Sequence, residues 1–498
     1  MSTFRLLSAA TILFTIVTGT TWADKKITES DLSWPQFRGP DGSGVVRDSK
    51  PLPSDVGPAK NVVWKADLPA GASSPCVWKD RIVVTGCDKE KQKLETVCIN
   101  RQNGQILWRQ TAPAGKIEKV FKPNTPATPT PATDGERVYV YFGSYGLLCY
   151  DRDGKEVWKK PLPIVETIFG SGTSPIVAGD LVLLATLGKE SAFYAFDRHT
   201  GETVWKNDHP KFRISYSVPV YCSQMNGTEL VLAGYRGVAA YDIKDGKERW
   251  WVGGLAAGGV QTPVFGDGLL FVVSHFPGGD PGDRMKLPTF DELLKKYDAN
   301  KDGKLTLYKE LPPKVILYDR GGHDADSSIT MDDMVPFGDE KKEAFLERPQ
   351  WEKVIATMAK IESAMIAIRP RGQGDLTQTA VAWKEQRALP EVPSPLFYEG
   401  RIYLVKDGGI ASCFDAKSGK LHYRERVGAG GFYYSSPVAG DGKIYACSQQ
   451  GVVSVLKSGD KFELISKNDF GEPILATPAL VDGHVYVRTE NHLYAFGG

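Results

Sequence analysis

The sequence predicts an all-β chain folded as an eight-bladed β-propeller. A strand from near the N-terminus closes it, and a helical, EF-hand-like insertion interrupts blade five. Three observations predict this. First, a small residue followed by proline opens eight similar units, at Pro75, Pro131, Pro175, Pro219, Pro263, Pro395, Pro437 and Pro478, with spacings of 56, 44, 44, 44, 132, 42 and 41 residues. Second, each opening leads into short apolar runs separated by turns containing Gly, Asp or Asn, which signal antiparallel hairpins. Third, the last unit, ILATPALVDGHVYVRTENHLYAFGG, stops after its third strand, while a lone strand around Trp64, NVVWKADLP, precedes the first complete unit and can supply the missing fourth. A four-stranded meander cannot bury both faces alone, and a period of about 40–45 residues fits propeller blades. Sharing the last sheet between the two chain ends removes two exposed edges.

Val392 to Gly428 shows one unit in full: SPLFY, a Glu-Gly turn, RIYLV, an Asp-Gly-Gly turn, IASCFD, the turn AKSG, and KLHYRERV. Elsewhere the third strand runs through a turn, often acidic, into a tryptophan, as in AFDRHTGETVW ending at Trp205, AYDIKDGKERW at Trp250, CYDRDGKEVW at Trp158 and, with Asn in place of the acid, CINRQNGQILW at Trp108. Cys98, Cys149 and Cys413 hold one place in the third strand of three units, and Ala195 and Ala240 hold it in two others. A small apolar filler between stacked sheets accounts for that place. The seven cysteines are therefore expected to be buried thiols, without a disulfide framework.

The N-terminus reads as a secretory leader over residues 1–23: Arg5, an apolar stretch from Leu6 to Val17, and small residues at Thr21 and Ala23 flanking Trp22. The apolar stretch is too short to span a bilayer, and no cysteine follows it to carry a lipid. An exported protein, periplasmic or extracellular and with no membrane span after cleavage, is expected. The net charge of +1 gives no global field towards nucleic acid. The chain then divides into a clasp segment over 24–60, blades one to five with the closing strand over 61–276, the insertion over 277–363, and the remaining blades over 364–498. A monomer is expected. WPQFRGPDGSG, Trp34 to Gly44, reads as an aromatic-anchored loop that plugs or clasps the ring. The surplus of the first interval falls in APAGKIEKVFKPNTPATPTP, a Pro-rich loop with Lys116, Lys119 and Lys122 that projects on the face where blades connect.

The 132-residue interval carries the insertion, between the second and third strands of blade five and on that same face. It opens with a helical stretch, FDELLKKY, followed by DANKDGKLTLYKEL. Asp298, Asn300 and Asp302 stand at positions 1, 3 and 5 of an EF-hand loop, with Gly303 at 6, the Lys304 carbonyl at 7, Leu305 at 8 and Thr306 at 9. Alternate residues of such a loop face the ion, so this is a calcium candidate at millimolar extracellular levels. Position 12 is Lys309, which cannot ligate; Glu310 is one residue late and reaches the ion only if the exit turn is altered. A weaker second loop is expected around Ile329 at position 8, with Asp324, Asp326, Thr330 and Asp333 as its oxygen donors. The following run, GDEKKEAFLERPQWEKVIATMAKIES, reads as helix broken at Pro349 and lying on the blade edge.

The AFDRHTGETVW-type turns and the repeat they punctuate resemble the PQQ-like propeller repeat over most of the chain. With WPQFRGPDGSG and the EF-hand insertion, the chain is similar to secreted propellers of planctomycete-type bacteria. It more distantly resembles the non-enzymatic propeller subunit of the outer-membrane β-barrel assembly machine. Quinoprotein dehydrogenases share the repeat. That resemblance implies a quinone held by a Trp and a vicinal Cys-Cys disulfide, an axial calcium and an Asp base. This sequence has no Cys-Cys pair and no Asp or Glu in the strand openings ASSPCVW, TPTPAT, GTSPIVA, SYSVPVY, GVQTPVF, VPSPLFY, YYSSPVA and LATPALV, so PQQ is not expected. The residues preceding inner strands, Phe169, Arg213, Tyr216, Gln261, Phe432, Tyr433 and Tyr434, are candidates for a funnel mouth that takes a protein, peptide, small-molecule or glycan ligand. No catalytic residue is assigned. The expected function is a secreted, calcium-decorated binding scaffold. The alternatives are a quinoprotein oxidoreductase and a carbohydrate-binding or processing protein.

Overall fold

The computed structural model describes residues 33–497 except 49, 89, 166, 168, 188–189, 209, 213–214, 223–228, 257–259, 277–278, 282, 320–327, 336–342 and 360–361. The expected leader over 1–23 and the candidates Arg213, Asp324 and Asp326 lie outside the described residues.

Eight four-stranded antiparallel meanders follow one another around an axis. They occupy 76–111, 132–161, 176–207, 220–253, 264–385, 396–426, 438–469, and 479–497 completed by Val62–Asp67. In the eighth blade Val62–Asp67 pairs antiparallel with His492–Gly497, with Trp64 opposite Ala495. The chain ends thus share one sheet, and the blade-eight and blade-one inner strands lie side by side. Faces of neighbouring blades form the core. Residues such as Ile82, Val84, Val97 and Ile99 of blade one pack with Val485, Val487, Leu493 and Ala495 of blade eight.

A β-bulge recurs at the same place in all eight outer strands. It raises the local twist that a wedge-shaped blade needs. In blades one to three and eight the skipped residue, Leu107, Val157, Val204 or Val63, points into solvent, while the tryptophan after it turns inwards. Opposite that tryptophan stands the small third-strand residue: Cys98 faces Trp108, Cys149 faces Trp158 and Ala195 faces Trp205.

The tryptophans join one blade to the next. Trp64, Trp108, Trp158, Trp205 and Trp383 each donate their indole N–H to a turn carbonyl of the following blade, those of Arg101, Arg152, Arg198, Ile243 and Ala416, at 2.8–3.0 Å. Each ring covers the glycine of that turn. At Gly104, which has φ +74°, a Cβ would fall 2.7 Å from the Trp64 ring. Only glycine offers both the left-handed backbone and the clearance. Gly154, Gly201, Gly246 and Gly419 repeat the contact under Trp108, Trp158, Trp205 and Trp383.

Blade four ends differently. The Trp250 indole donates within its own blade to Glu229. Gly374–Asp375, from the segment between the third and outer strands of blade five, pairs in parallel with Trp250 and Trp251 as a fifth strand. At blade seven the N-terminal segment takes over: Ser466 donates to Ser54 O (2.6 Å), Asn468 to Asp55 (2.6 Å), and Tyr445 to Pro53 O (2.8 Å).

The insertion leaves blade five after Leu269–Ser274 and returns at Ala364–Ile368. Ser363 Oγ accepts from Phe276 N and donates to Phe276 O, both at 3.1 Å, closing its neck. It contains helices α1 (Phe290–Tyr297), α2 (Met331–Met334) and α3 (Arg348–Met358). A Thr289/Glu292 capping box starts α1. Pro349 lies in the first turn of α3, where its missing N–H costs nothing, so it begins the helix rather than breaking it. The Trp351 face of α3 packs on Phe290, Leu293, Leu305 and Leu346, giving the insertion a core of its own instead of a seat on the blade edge. The strand containing Leu305 does not pair at Ile329 as a two-loop EF-hand would require. Leu305 pairs with Leu346, and Ile329 pairs with Tyr318.

Candidate functional site

The axial channel is bounded by a rim of hydroxyls. The residues before the eight opening prolines are Ser74, Thr130, Ser174, Val218, Thr262, Ser394, Ser436 and Thr477, all buried. Ser74 N donates to Thr130 Oγ1, Thr130 N to Ser174 Oγ, Val218 N to Thr262 Oγ1, Thr262 N to Ser394 Oγ, Ser394 N to Ser436 Oγ, Ser436 N to Thr477 Oγ1, and Thr477 N to Ser74 Oγ, at 2.9–3.3 Å. This hydrogen-bonded girdle runs from blade to blade and breaks once, where Ser174 faces Val218. Proline at the next position supplies no N–H, so the residue before it carries the whole inter-blade bond. The Ser/Thr-Pro pairs are the sequence signal for the girdle.

Below the girdle the Trp34–Gly44 segment crosses the channel. Trp34 exchanges two backbone hydrogen bonds with Val77 of blade one (2.8 Å each), and Pro35 O accepts from Thr133 N of blade two (2.8 Å). Phe37 packs with the core between blades three and four. Arg38 Nη2 donates to Pro395 O of blade six (2.6 Å), and Gly44 O accepts from Ala439 N of blade seven (2.8 Å).

Above the girdle is the mouth. Phe169 is 45% exposed and meets Tyr216 edge-on at 6.3 Å. Asn124 Nδ2 donates to Phe169 O (2.9 Å), which brings the lysine-bearing loop beside Phe169. Phe121 and Ile164 are exposed there with Lys116, Lys119 and Lys122. Across the mouth, Phe432 is 40% exposed and lies 6.3 Å from the half-buried Tyr434. Two candidates do not line this opening. Gln261 is fully buried and donates to Pro390 O and Glu391 O, both at 2.7 Å. Tyr433 is also buried, its hydroxyl donating to Ala429 O (2.9 Å) and its amide to Asp407 (2.7 Å). Both face inwards because alternate residues of an extended segment point to opposite sides.

Glu118 fastens the lysine-bearing loop and had no signal in the sequence. Its amide donates to Ser144 Oγ (3.0 Å), and its carboxyl lies buried against Gly143, Gly170 and Ser171 with neither oxygen hydrogen-bonded among the described residues. Burial pushes it up to about 7.

The EF-hand-like loop leaves the C-terminus of α1 directly. Asp298 Oδ2 accepts from Gly303 N (3.1 Å), Asn300 Oδ1 from Asp302 N (2.8 Å), and Asp302 Oδ1 from Lys304 N (2.9 Å). Asp298 Oδ1 is buried without a partner. Thr306 lies in the Leu305–Thr306 strand. No exit helix follows: Tyr308 takes φ 66°, and Leu311 N returns to Thr306 O (3.1 Å). This altered turn sends Lys309 outwards to Glu343 and folds Glu310 back into the loop. Glu310 accepts there from Asn300 N (3.4 Å) and Thr306 N (2.9 Å). Those amides hold its carboxyl below the ordinary range. Among the described residues no three His, Cys, Asp or Glu side chains converge as a metal cluster. Of the second loop, Thr330 lies in Ser328–Thr330 and Asp333 in α2.

The family model described as outer membrane protein assembly factor BamB matches residues 56–192, 93–251 and 188–304, overlapping frames that together span half of the chain. A repeat matches in several frames because each blade resembles its neighbours. An outer membrane protein assembly factor BamB of Burkholderia pseudomallei (strain K96243) is 25% identical over 271 residues, which cover 51% of this chain and 62% of that protein. The chain therefore spans less than two thirds of that relative's length. Among solved structures, BamB from Moraxella catarrhalis superposes with a TM-score of 0.50 at 12% identity, over 87% of this chain and 98% of that one. The quinohemoprotein alcohol dehydrogenase from Comamonas testosteroni gives 0.54 at 12%, over 94% and 81%. At such identities the structures speak for the eight-bladed fold and not for chemistry. The repeated blades, the closing strand and the matched half of the sequence agree: the chain belongs to the PQQ-like propeller family whose model is described as outer membrane protein assembly factor BamB.

Proposed function

We propose that this protein is an exported, non-catalytic propeller that docks a protein partner at its mouth. The observation that carries the reading is the lip: Phe121, Ile164 and Phe169 exposed together beside Lys116, Lys119 and Lys122. Exposed aromatics ringed by cations suit a partner segment with apolar anchors and acidic flanks. The relatives are named as outer membrane protein assembly factors, which makes a component or client of that assembly the first partner to seek. The strand openings supply hydroxyls and prolines and no carboxylate to serve as a base, which supports binding over alcohol oxidation.

A photo-crosslinking residue at Phe121, in cells of the source organism, tests this. The expected result is one dominant adduct that is lost in a Phe169→Ala/Lys119→Glu variant of unchanged melting temperature. Crosslinking that ignores those substitutions overturns the docking surface. The quinoprotein reading, which the shared fold keeps in view, is tested separately. Dye-linked alcohol oxidation after adding quinone and calcium would replace the scaffold reading.

Calcium at the insertion belongs to the same proposal. Asp298, Asn300, Asp302, the Lys304 carbonyl and Thr306 are all oxygen donors, and Glu310, folded back onto the Asn300 and Thr306 amides, can offer the carboxylate that Lys309 cannot. The buried, unpartnered Asp298 Oδ1 is the atom most in need of an ion. Titration calorimetry should give a calcium signal at about 10⁻⁴–10⁻³ M in the wild type, absent in Asp298→Ala. Identical traces would remove the metal.

A further inference from the structure

Arg38 is the most buried charge that the fold leaves unexplained. The side chain is fully enclosed, with no exposed surface, in the segment that crosses the channel. Nη2 donates to Pro395 O (2.6 Å) and Ser43 O (3.2 Å), while Nε and Nη1 have no partner among the described residues. Among the described residues no carboxylate pairs with it. Asp41, three residues on, pairs with Arg47, and Asp48 accepts from Lys50 N (3.1 Å) and Asp482 N (2.7 Å). The backbone bends to place it: Arg38 has φ 60°, and Gly39, Asp41, Gly42 and Gly44 are also left-handed. Gly44 gives the guanidinium room, since a Cβ there would fall 3.0 Å from Nη2 and 3.3 Å from Nε.

Pro395, the anchor of Arg38, directly follows the girdle residue Ser394. Each of the seven girdle hydroxyls accepts an amide, yet none donates to a protein acceptor among the described residues. The strand openings contain no Asp or Glu to balance the Arg38 charge. A buried cation without a counter-charge and with two idle donors is costly unless an anion or water completes it.

Arg488 provides the contrast. It is equally buried, on the other side of the girdle, but Nη1 donates to Ser73 O (3.0 Å) and Nη2 to Pro69 O (3.3 Å). Only its Nε lacks a partner, so its fork is filled by protein. Burial lowers both arginines to about 9, in each case with no acid among the causes.

We propose that Arg38 holds a small monoanion, a halide or a formate-sized carboxylate, in the channel between the Trp34–Gly44 segment and the hydroxyl girdle. Bromide distinguishes halide from carboxylate: crystals soaked in bromide should show one enclosed anomalous peak within hydrogen-bond distance of Arg38 Nε or Nη1. Melting temperature at constant ionic strength should rise saturably with bromide or formate in an otherwise non-coordinating buffer. A response to formate alone selects the carboxylate, and a response to bromide the halide. Arg38→Gln should abolish the response. Should that variant not fold, Arg38→Lys, which keeps the charge but not the fork, should weaken the apparent affinity at least tenfold. No saturable response to either probe, bromide confined to surface lysines with no response to formate (an adventitious ion only), or the same response in both variants would overturn the proposal.

Discussion

The inner rim and the outer edge of the ring solve the same problem differently. At the rim, seven of eight positions carry a hydroxyl that accepts the neighbouring blade's amide, and one device serves the whole circle. At the edge, five junctions use a docked tryptophan. Of the other three, one uses an added parallel strand beside blade four, one the N-terminal segment beside blade seven, and between blades six and seven Tyr423 packs edge-on against Phe462 (5.6 Å). The difference lies in geometry. Inner strands converge on one axis, so their spacing is fixed and only a short side chain bridges it. Outer strands diverge, and the wider gap admits any element that fills it and satisfies its polar groups.

Four substitutions can break or sharpen that contrast. Trp64→Ala should have the largest effect, a loss of roughly 3–5 kcal/mol in chemical denaturation. It empties the dock at the junction where the chain ends meet, and Trp158→Ala, inside a continuous stretch of chain, should cost less. The reverse order would show that ring closure is not the weak junction. Next is Glu118→Gln at the mouth. Burial pushes its carboxyl up to about 7 in the folded protein, from an ordinary 4.5. The folded state therefore keeps that proton more tightly, an advantage present below pH 4.5 and lost as pH rises through 7. Wild-type stability should fall across that window by on the order of 2–3 kcal/mol, and Glu118→Gln should flatten the fall in melting curves taken across it. An unchanged profile would mean that the carboxyl finds a partner in solution.

Smaller effects test the rim. Ser436→Ala leaves the buried Ser394 amide without its acceptor, which should cost about 1–3 kcal/mol. The conservative Ser436→Thr should restore most of it. Smallest and opposite in sign is Val218→Thr, which offers Ser174 the one hydroxyl the girdle lacks and should add roughly 0.5–1 kcal/mol. A loss instead would show that blade four sits too far from blade three for the bond.

The sequence by itself determined the number of blades, the shared eighth sheet and the place of the insertion. Each of these rests on local, periodic signals: Pro openings, turn residues, and a strand missing at one end and spare at the other. It also put Asp298, Asn300 and Asp302 in one loop, because those residues are neighbours in the chain. What it could not contain is whatever depends on which residues meet across the ring. The tryptophans were legible as a pattern, but their glycine-covered seats lie in the next blade, about 40 residues away. Leu305 pairs with Leu346 instead of at Ile329, and packing of the insertion around Trp351 set that register. Gln261 and Tyr433 look like mouth residues in the chain, and only the facing of their backbones turns them inwards. Glu118 and Arg38 are ordinary charges in a sequence. Burial makes them exceptional, and burial is created by the closed ring, not by any stretch of chain within it.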